Sequence, residues 1–222
     1  MEEIRIIEVK QSVFEDNNKD AEELRKKLKE EKTFLLNLMS SPGSGKTTTL
    51  KALAKELFGK LRWAVMEADI DSAVDAEAMV SAGVPSIQIH TGGMCHLDAD
   101  MTRQGLSQLD TENFDLVVLE NVGNLVCPAE FDTGASKNMT ILSVPEGHDK
   151  PLKYPLMYKT CDLLVINKTD VIDYFDFDKE KVVEYAKMRN PEIEVIFISA
   201  KTGEGIPALA DWIIKNVNDW NK

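Results

Sequence analysis

A glycine-rich segment after the first apolar run of the chain is the clearest chemical signal. Residues 40–47 read S-S-P-G-S-G-K-T, and a helix-forming stretch follows. Gly43 and Gly45 let backbone N–H groups turn toward an anion, and the helix N-terminus adds positive partial charge. The Lys46 ammonium can bridge β- and γ-phosphates, while the Thr47 hydroxyl can ligate Mg²⁺. The predicted phosphate-binding residues are Gly43, Ser44, Gly45, Lys46, Thr47 and Thr48.

A second motif, N-K-T-D at residues 167–170, indicates which base the nucleotide carries. It follows the apolar run Leu163–Ile166, and a later run ends in S-A-K at residues 199–201. The Asp170 carboxylate would accept hydrogen bonds from guanine N1–H and N2, and the Ala200 N–H would meet guanine O6. Adenine lacks that donor pair and would leave the carboxylate unsatisfied, at a cost of about 1–3 kcal/mol or more. The sequence therefore predicts GTP, bound by Asn167, Lys168, Asp170, Ser199, Ala200 and Lys201.

Carboxylates at two further strand ends are candidates for the Mg²⁺ and switch positions. The run ending at Leu119 continues as E-N-V-G, where many GTPases have D-x-x-G. Glu120 can hold a Mg²⁺-bound water, and the Gly123 N–H can sense the γ-phosphate. The other candidates are the carboxylates at the end of the second predicted strand and just after it, Glu67, Asp69, Asp71 and Asp75. We favour Asp69 and Asp75, although capping of the following helix is an alternative role for Asp71 and Asp75.

The predicted catalytic residues are therefore Lys46, Asp75, Glu120 and Gly123. The predicted magnesium residues are Thr47, Asp69, Asp75 and Glu120. Asn124, rather than a water-positioning glutamine, follows Gly123. This difference predicts slow intrinsic turnover.

Two thiols and an imidazole form a third constellation. Cys95 and His96 are adjacent, and Cys127 follows Gly123 by four residues. These donors suit a soft ion such as Zn²⁺ or Ni²⁺, with water or a second subunit completing the tetrahedron. Taken alone the pattern is weak, because cysteines are often buried apolar residues. Cys95 precedes a predicted helix, which predicts a lowered thiol pKa.

The position of Cys127 links this constellation to the nucleotide. Four residues span at most about 14 Å, so a loop that moves with the γ-phosphate would move the thiol as well. Such coupling is reciprocal, and the metal should then alter nucleotide affinity or turnover.

Alternating apolar runs and helical stretches must position these residues. The predicted strands are Phe34–Met39, Trp63–Met66, Ser86–Ile89, Leu116–Leu119, Met139–Val144, Leu163–Ile166 and Val195–Ile198. The predicted helices between them include Thr47–Leu57, Asp75–Ala82, Lys179–Met188 and Ile206–Val217. Strands that are apolar on both faces and alternate with helices indicate an α/β fold of the P-loop NTPase type. We expect a mostly parallel sheet of about seven strands covered by helices on both faces, with ligands at the carboxyl ends of the strands.

The chain before the first strand predicts a polar helix with a narrow apolar stripe. Leu24 and Leu28 lie four residues apart in A-E-E-L-R-K-K-L-K-E-E. We expect this helix to cover the edge or the bottom of the sheet. The predicted organisation is an N-terminal helical extension, residues 1–32, followed by one GTPase domain, residues 33–222.

Composition argues against several other functions. The chain has 222 residues and a net charge of −12, which disfavours nucleic-acid binding. Its apolar runs are too short to cross a bilayer, and the acidic N-terminus lacks a signal-peptide core. Three cysteines do not make a disulfide framework, so we expect a cytoplasmic protein without membrane attachment.

Together these motifs resemble the HypB-type nickel-insertion GTPases of nickel–iron hydrogenase maturation. The matching stretches are LNLMSSPGSGKTTTL, TGGMCHLDA, LVVLENVGNLVCPAEFD, PLKYPLMY, VINKTD and SAKTGEG. The resemblance implies a GTP-dependent homodimer with zinc or nickel held at the subunit interface by Cys95, His96 and Cys127. It also implies nickel delivery to a hydrogenase large-subunit precursor, with help from a small accessory protein of the HypA type. Lys153 would reach the nucleotide across the dimer.

Two departures and several alternatives remain at this point. Some family members begin with a cysteine-rich motif or carry a histidine-rich tail, whereas this chain begins MEEIRIIEVKQ, so N-terminal nickel storage is not expected. Lysine is frequent in the family where Gly93 stands here.

A urease-type nickel GTPase usually carries Cys-Pro-His, which is missing here. A chaperone for a cobalamin enzyme would not need the thiols. A metal-buffering protein would hold its nucleotide without hydrolysing it. A small-molecule kinase is disfavoured by the guanine motif.

Overall fold

The computed structural model describes residues 6–69, 79–91 and 93–222, and for residues 6–15 and 69 it describes the backbone. Seven strands of this described chain form one parallel sheet in the order β3-β2-β4-β1-β5-β6-β7. The strands are Phe34–Ser40 (β1), Trp63–Asp69 (β2), Ser86–His90 (β3), Leu116–Glu120 (β4), Lys137–Ser143 (β5), Leu163–Asn167 (β6) and Glu194–Phe197 (β7). All seven predicted strands are confirmed, with ends shifted by at most a few residues.

Helices cover both faces of this sheet. They are Ile6–Glu30 (α1), Lys46–Leu57 (α2), Ala99–Leu106 (α3), Lys150–Lys153 (α4), Pro155–Thr160 (α5), Lys179–Arg189 (α6) and Ile206–Trp220 (α7). Residues 75–78 of the predicted helix Asp75–Ala82 lie outside the described residues, and residues 79–81 are helical. None of the described helices is long and apolar enough to cross a membrane.

Alternating side chains of the strands divide the core between the two faces. On one face, Leu36 and Leu38 of β1 pack in a single cluster with buried leucines and isoleucines of α2 and α7. On the other face, Leu35 packs with α1 and α3, while Met39 packs with α5 and α6. Strands apolar on both faces follow from this double cover. The central position of β1 brings the segment after it to the middle of the carboxyl edge.

Helix α1 is longer than the predicted Ala21–Glu31 and lies on a sheet face rather than at an edge. Leu24 and Leu28 are 4% and 1% exposed and share a cluster with Leu35 of β1. The Leu24 side chain also contacts the backbone near Gly134, where an added Cβ would lie 2.8 Å from Leu24 Cδ2. The boundary between extension and domain at residue 32 stays a prediction.

Candidate functional site

The phosphate loop connects β1 to α2 with two glycines in the left-handed region. Gly43 has φ 74° and Gly45 has φ 100°. A Cβ on Gly45 would lie 2.4 Å from the Asn167 amide nitrogen, so this position requires glycine for its backbone and for its space. The loop therefore has the strand–turn–helix geometry that phosphate binding needs.

Lys46 stands between a hydroxyl and a carboxylate at this loop. Its Nζ donates to Ser40 Oγ at 3.2 Å and lies 3.8 Å from Glu120 Oε1. Glu120 ends β4, which neighbours β1, and is 5% exposed. The structure thus brings together Lys46 and Glu120, two of the predicted catalytic residues.

The hydroxyl of Ser44 indicates a ligand at the same loop. Ser44 is 1% exposed, and its Oγ has no hydrogen-bond partner among the residues that the structure describes. Buried hydroxyls in native proteins are almost always satisfied. A phosphate oxygen bound in the loop is a suitable acceptor for it.

Beside the phosphate loop lies a cleft of 380 Å³ that contains the predicted base-reading residues. It is lined by Gly45, Thr48, Asn167, Lys168, Asp170, Val171, Ala200 and Lys201. Ser199 Oγ donates to Asp170 Oδ1 at 2.7 Å and so fixes one carboxylate oxygen. The Lys168 ammonium donates to the Gly43 carbonyl at 2.7 Å, which lays its stem across the cleft.

Asn167 joins the base-reading loops to the phosphate loop. Its Oδ1 accepts from Lys168 N at 2.7 Å and from Ala200 N at 3.1 Å. Its Nδ2 donates to the Ser44 carbonyl at 2.9 Å. The Ala200 N–H, which the sequence assigned to guanine O6, is therefore used by Asn167 in this structure.

A second carboxylate, Glu67, lies beside Glu120. Glu67 of β2 is 3% exposed and is the register partner of Glu120 across the β2–β4 pair. The sequence names Glu67 among the candidate carboxylates but favours Asp69 and Asp75 over it. Asp69 ends β2, but its side chain lies outside the described residues, as does Asp75 entirely.

The segment after Glu120 packs directly on the phosphate loop. A Cβ on Gly123 would lie 3.3 Å from Pro42 N and 3.2 Å from Pro42 Cγ, so this close approach favours glycine. The Val122 N–H donates to Asn121 Oδ1 at 2.9 Å, and Asn121 Nδ2 donates to Asn37 Oδ1 at 3.1 Å. The segment is therefore fixed both to the loop above it and to the sheet beneath it.

The two thiols lie together, and the His96 imidazole lies beside them against an aromatic ring. The thiols of Cys95 and Cys127 are close enough to interact, and His96 Nδ1 lies 3.8 Å from Cys95 Sγ. The His96 ring stacks on Phe131 with centroids 3.9 Å apart. Within the described ranges, no three His, Cys, Asp or Glu side chains form a group that could hold a metal ion. Cys95, His96 and Cys127 are thus neighbours, but they do not form a complete set of metal ligands.

The expected lowering of the Cys95 pKa is wrong for this structure. The hydrogen bond with the Cys127 thiol raises the pKa of Cys95, and burial adds to that effect. The helix N-terminus cannot offset it, because α3 begins only at Ala99 and Asp98 caps it by accepting from Met101 N. Burial lowers the pKa of His96, against the opposing charges of Asp98 and Glu130.

Lys153 does not line the base cleft. It is exposed on α4, where its ammonium is 2.6 Å from Asp149 Oδ2. This ion pair holds the pKa of Asp149 below its usual value. The contact of Lys153 with a nucleotide across a dimer stays a prediction.

The parallel sheet, the glycine loop after its central strand and the adjacent base cleft define a P-loop nucleotide-binding protein. Residues 34–197 match the CobW/HypB/UreG nucleotide-binding domain family. The hydrogenase maturation factor HypB of Azotobacter vinelandii is 47% identical over 210 residues, covering 94% of this chain and 69% of that protein. This chain belongs to the HypB family.

Solved structures agree with that assignment. The crystal structure of HypB from Helicobacter pylori in complex with nickel superposes with a TM-score of 0.87 at 36% identity, covering 92% of this chain and 96% of that one. HypB from Archaeoglobus fulgidus gives a TM-score of 0.84 at 34% identity, covering 91% and 99%.

Proposed function

We propose that this chain is a GTP-hydrolysing metallochaperone that helps to insert nickel into the large-subunit precursor of a nickel–iron hydrogenase. Family membership and the nickel bound by the Helicobacter pylori relative support this role. A small nickel donor of the HypA type and a second copy of this chain are the proposed partners. The cytoplasm is the proposed compartment.

The observation that carries the proposal is the path of one short segment. It leaves β4 at Glu120, touches Pro42 of the phosphate loop at Gly123, and reaches the Cys95 thiol at Cys127. A shift of Gly123 toward or away from a γ-phosphate therefore displaces one of the two thiols. That displacement is how nucleotide state would set metal affinity.

The loop residues suit GTP with Mg²⁺. The amides around Gly43–Lys46 and the Ser44 hydroxyl would hold the phosphates, and Asp170 would hold the guanine edge. Mg²⁺ bound by Thr47, with Glu120 and Asp69 or Asp75 acting through water, would neutralise charge on the β- and γ-phosphates. Lys46 would bridge the same phosphates, exchanging its present contact with Ser40 for a phosphate oxygen. Asn124, in place of a water-positioning glutamine, makes the proposed hydrolysis slow without a partner.

Nickel, or zinc, is the proposed cargo of the thiol pair. Two thiolates and the His96 imidazole supply three soft donors, so a water or a donor from the second protomer must complete the set. We propose that GTP closes a dimer around the Glu120–Cys127 segments, with Lys153 of each protomer reaching the nucleotide of the other. Hydrolysis then loosens this arrangement and releases the ion.

Nickel titration in two nucleotide states tests the proposal. Nickel affinity should be higher with a non-hydrolysable GTP analogue than with GDP, and Cys127→Ala should remove the binding while sparing GTP affinity. Cys161→Ala is the matched control, because that thiol is 1% exposed in the core beneath α5. Equal nickel affinity in both nucleotide states would contradict the coupling.

A further inference from the structure

We infer that Asn17 of α1 is a positioning residue for the metal site, because its buried side chain ties together the two loops that carry the thiols. This inference rests on the proposed function, since it assumes that Cys95 and Cys127 bind metal. It gives the N-terminal helical extension a role that the nucleotide chemistry leaves unassigned.

Both polar atoms of the Asn17 side chain are used in loop contacts. Its Oδ1 accepts from Ala99 N at 2.9 Å, and its Nδ2 donates to the Asp132 carbonyl at 3.0 Å. Ala99 follows Cys95 by four residues, and Asp132 follows Cys127 by five. A single amide, 8% exposed, thus bonds to the backbone just beyond each thiol.

Arg25, two turns further along α1, clamps the same end of the Cys127 loop. Its Nη2 donates to both carboxylate oxygens of Asp132, at 2.7 and 2.8 Å, and its Nε donates to the Ala135 carbonyl at 3.0 Å. Hydrogen bonds between ionised partners are shorter and stronger than those between neutral groups. The loop carrying Cys127 is therefore anchored to α1 through side chain and backbone.

Metal binding makes this anchoring matter. Thiolate–metal bonds of about 2.3 Å tolerate little misplacement of either sulfur, and outer contacts that orient ligands are typically worth 10–100-fold in metal affinity. Asn17 holds both loops at once, so its loss frees each thiol to move independently of the other. A role confined to stability would leave metal affinity unchanged in the folded protein.

The test compares Asn17→Ala with Asn216→Ala in the full chain. Asn216 is also 8% exposed, and its Nδ2 donates to the Trp212 carbonyl at 2.8 Å within α7, on the opposite sheet face. Nickel affinity is measured by competition with a chromophoric chelator, together with the thiolate-to-nickel charge-transfer band. Asn17→Ala should weaken nickel binding by about 10–100-fold and alter the band, whereas Asn216→Ala and the GDP affinity of both variants should match wild type.

Asn17→Asp separates the two contacts and guards against misfolding. It keeps an acceptor for Ala99 N but cannot donate to the Asp132 carbonyl, so it should also weaken nickel binding. Wild-type nickel affinity in either Asn17 variant, with binding still dependent on Cys127, would overturn the inference and leave the proposed function standing. An equal loss in Asn216→Ala would also overturn it. If the wild-type protein binds no nickel through Cys127, both the inference about Asn17 and the proposed function are overturned.

Discussion

Asn167 shows how much of the site depends on single side chains. Its one amide accepts two backbone N–H groups of the base-reading loops and donates to the phosphate loop at Ser44. Those contacts require the backbone at Gly45 to pass within touching distance of its Nδ2. The base and phosphate halves of the cleft are therefore one unit at the residue scale.

Gly45→Ala should disrupt that unit. The left-handed φ costs about 1–3 kcal/mol for a residue with a Cβ, and the methyl group would also displace Asn167. We expect GDP affinity to fall by at least about tenfold, as measured by calorimetry.

Gly43→Ala is the matched control for this substitution. Gly43 also has a positive φ, but its Cβ would meet nothing within 4 Å. It carries the backbone strain without the clash, and should therefore lose less affinity. Equal losses in the two variants would show that the contact with Asn167 does not matter.

At the scale of elements, a row of side-chain amides runs beneath the segment that follows Glu120. Hydrogen bonds lead from Val122 N to Asn121, on to Asn37 of β1 and Asn138 of β5, and end at the Thr160 carbonyl of α5. All donate in the same sense, so each polarises the next. The row holds the Val122–Gly123 backbone to the sheet and not only to the phosphate loop.

Asn37→Leu should therefore change nucleotide discrimination as well as stability. The substitution leaves the Asn121 side-chain amide and the Asn138 Oδ1 without their hydrogen-bond partner, which costs about 1–3 kcal/mol in the free energy of unfolding. The affinity ratio of GTP analogue to GDP should fall, because the displaced segment carries Gly123, whose N–H is the proposed contact to the γ-phosphate. Urea denaturation and calorimetry measure the two effects.

Thr140→Val supplies the control for that prediction. Thr140 lies on the same sheet face, and its buried Oγ1 has no hydrogen-bond partner among the described side chains and backbone. Its replacement should leave the affinity ratio at the wild-type value. If Asn37→Leu leaves the affinity ratio of GTP analogue to GDP unchanged, the row of amides contributes to stability only.

The elements that sequence predicts well are those with local signals. The strands follow from apolar runs, and the phosphate loop follows from glycine spacing between a strand and a helix. Contacts between segments that are distant in sequence leave no such signal, as between Asn17 and Asp132, which are 115 positions apart, or between Gly123 and Pro42. The predicted lowering of the Cys95 pKa is wrong for the same reason, because the Cys127 side chain that raises this pKa is remote in sequence.

For the whole molecule, strand order determines which sites can communicate. Strand β4 neighbours the central β1, so the segment after Glu120 must pass beside the phosphate loop before reaching the thiols. Helix α1 contacts both loops that carry the thiols, through the hydrogen bonds of Asn17 to Ala99 and Asp132. The proposed nucleotide and metal sites are thus connected both by the chain itself and by side-chain packing.

The surface beside the thiols is apolar, which suits contact with a second copy. Met94 and Val126, each adjacent to a thiol, are 42% and 51% exposed. Sedimentation should show a larger dimer fraction with a GTP analogue and Ni²⁺ than with GDP alone. Val126→Asp should reduce that fraction by placing charge on the apolar surface, while Val80→Asp, 58% exposed elsewhere, should not. A monomer under every condition would contradict the proposed dimer.

Nucleotide selection is the most direct test of the whole account. Calorimetric titration of the purified protein with GTP and with ATP, each with Mg²⁺, measures it, and Asp170→Asn checks that the carboxylate is responsible. We expect GTP to bind clearly more tightly than ATP, and we expect the Asp170→Asn variant to lose this preference. Tighter binding of ATP, or binding of neither nucleotide, would contradict it.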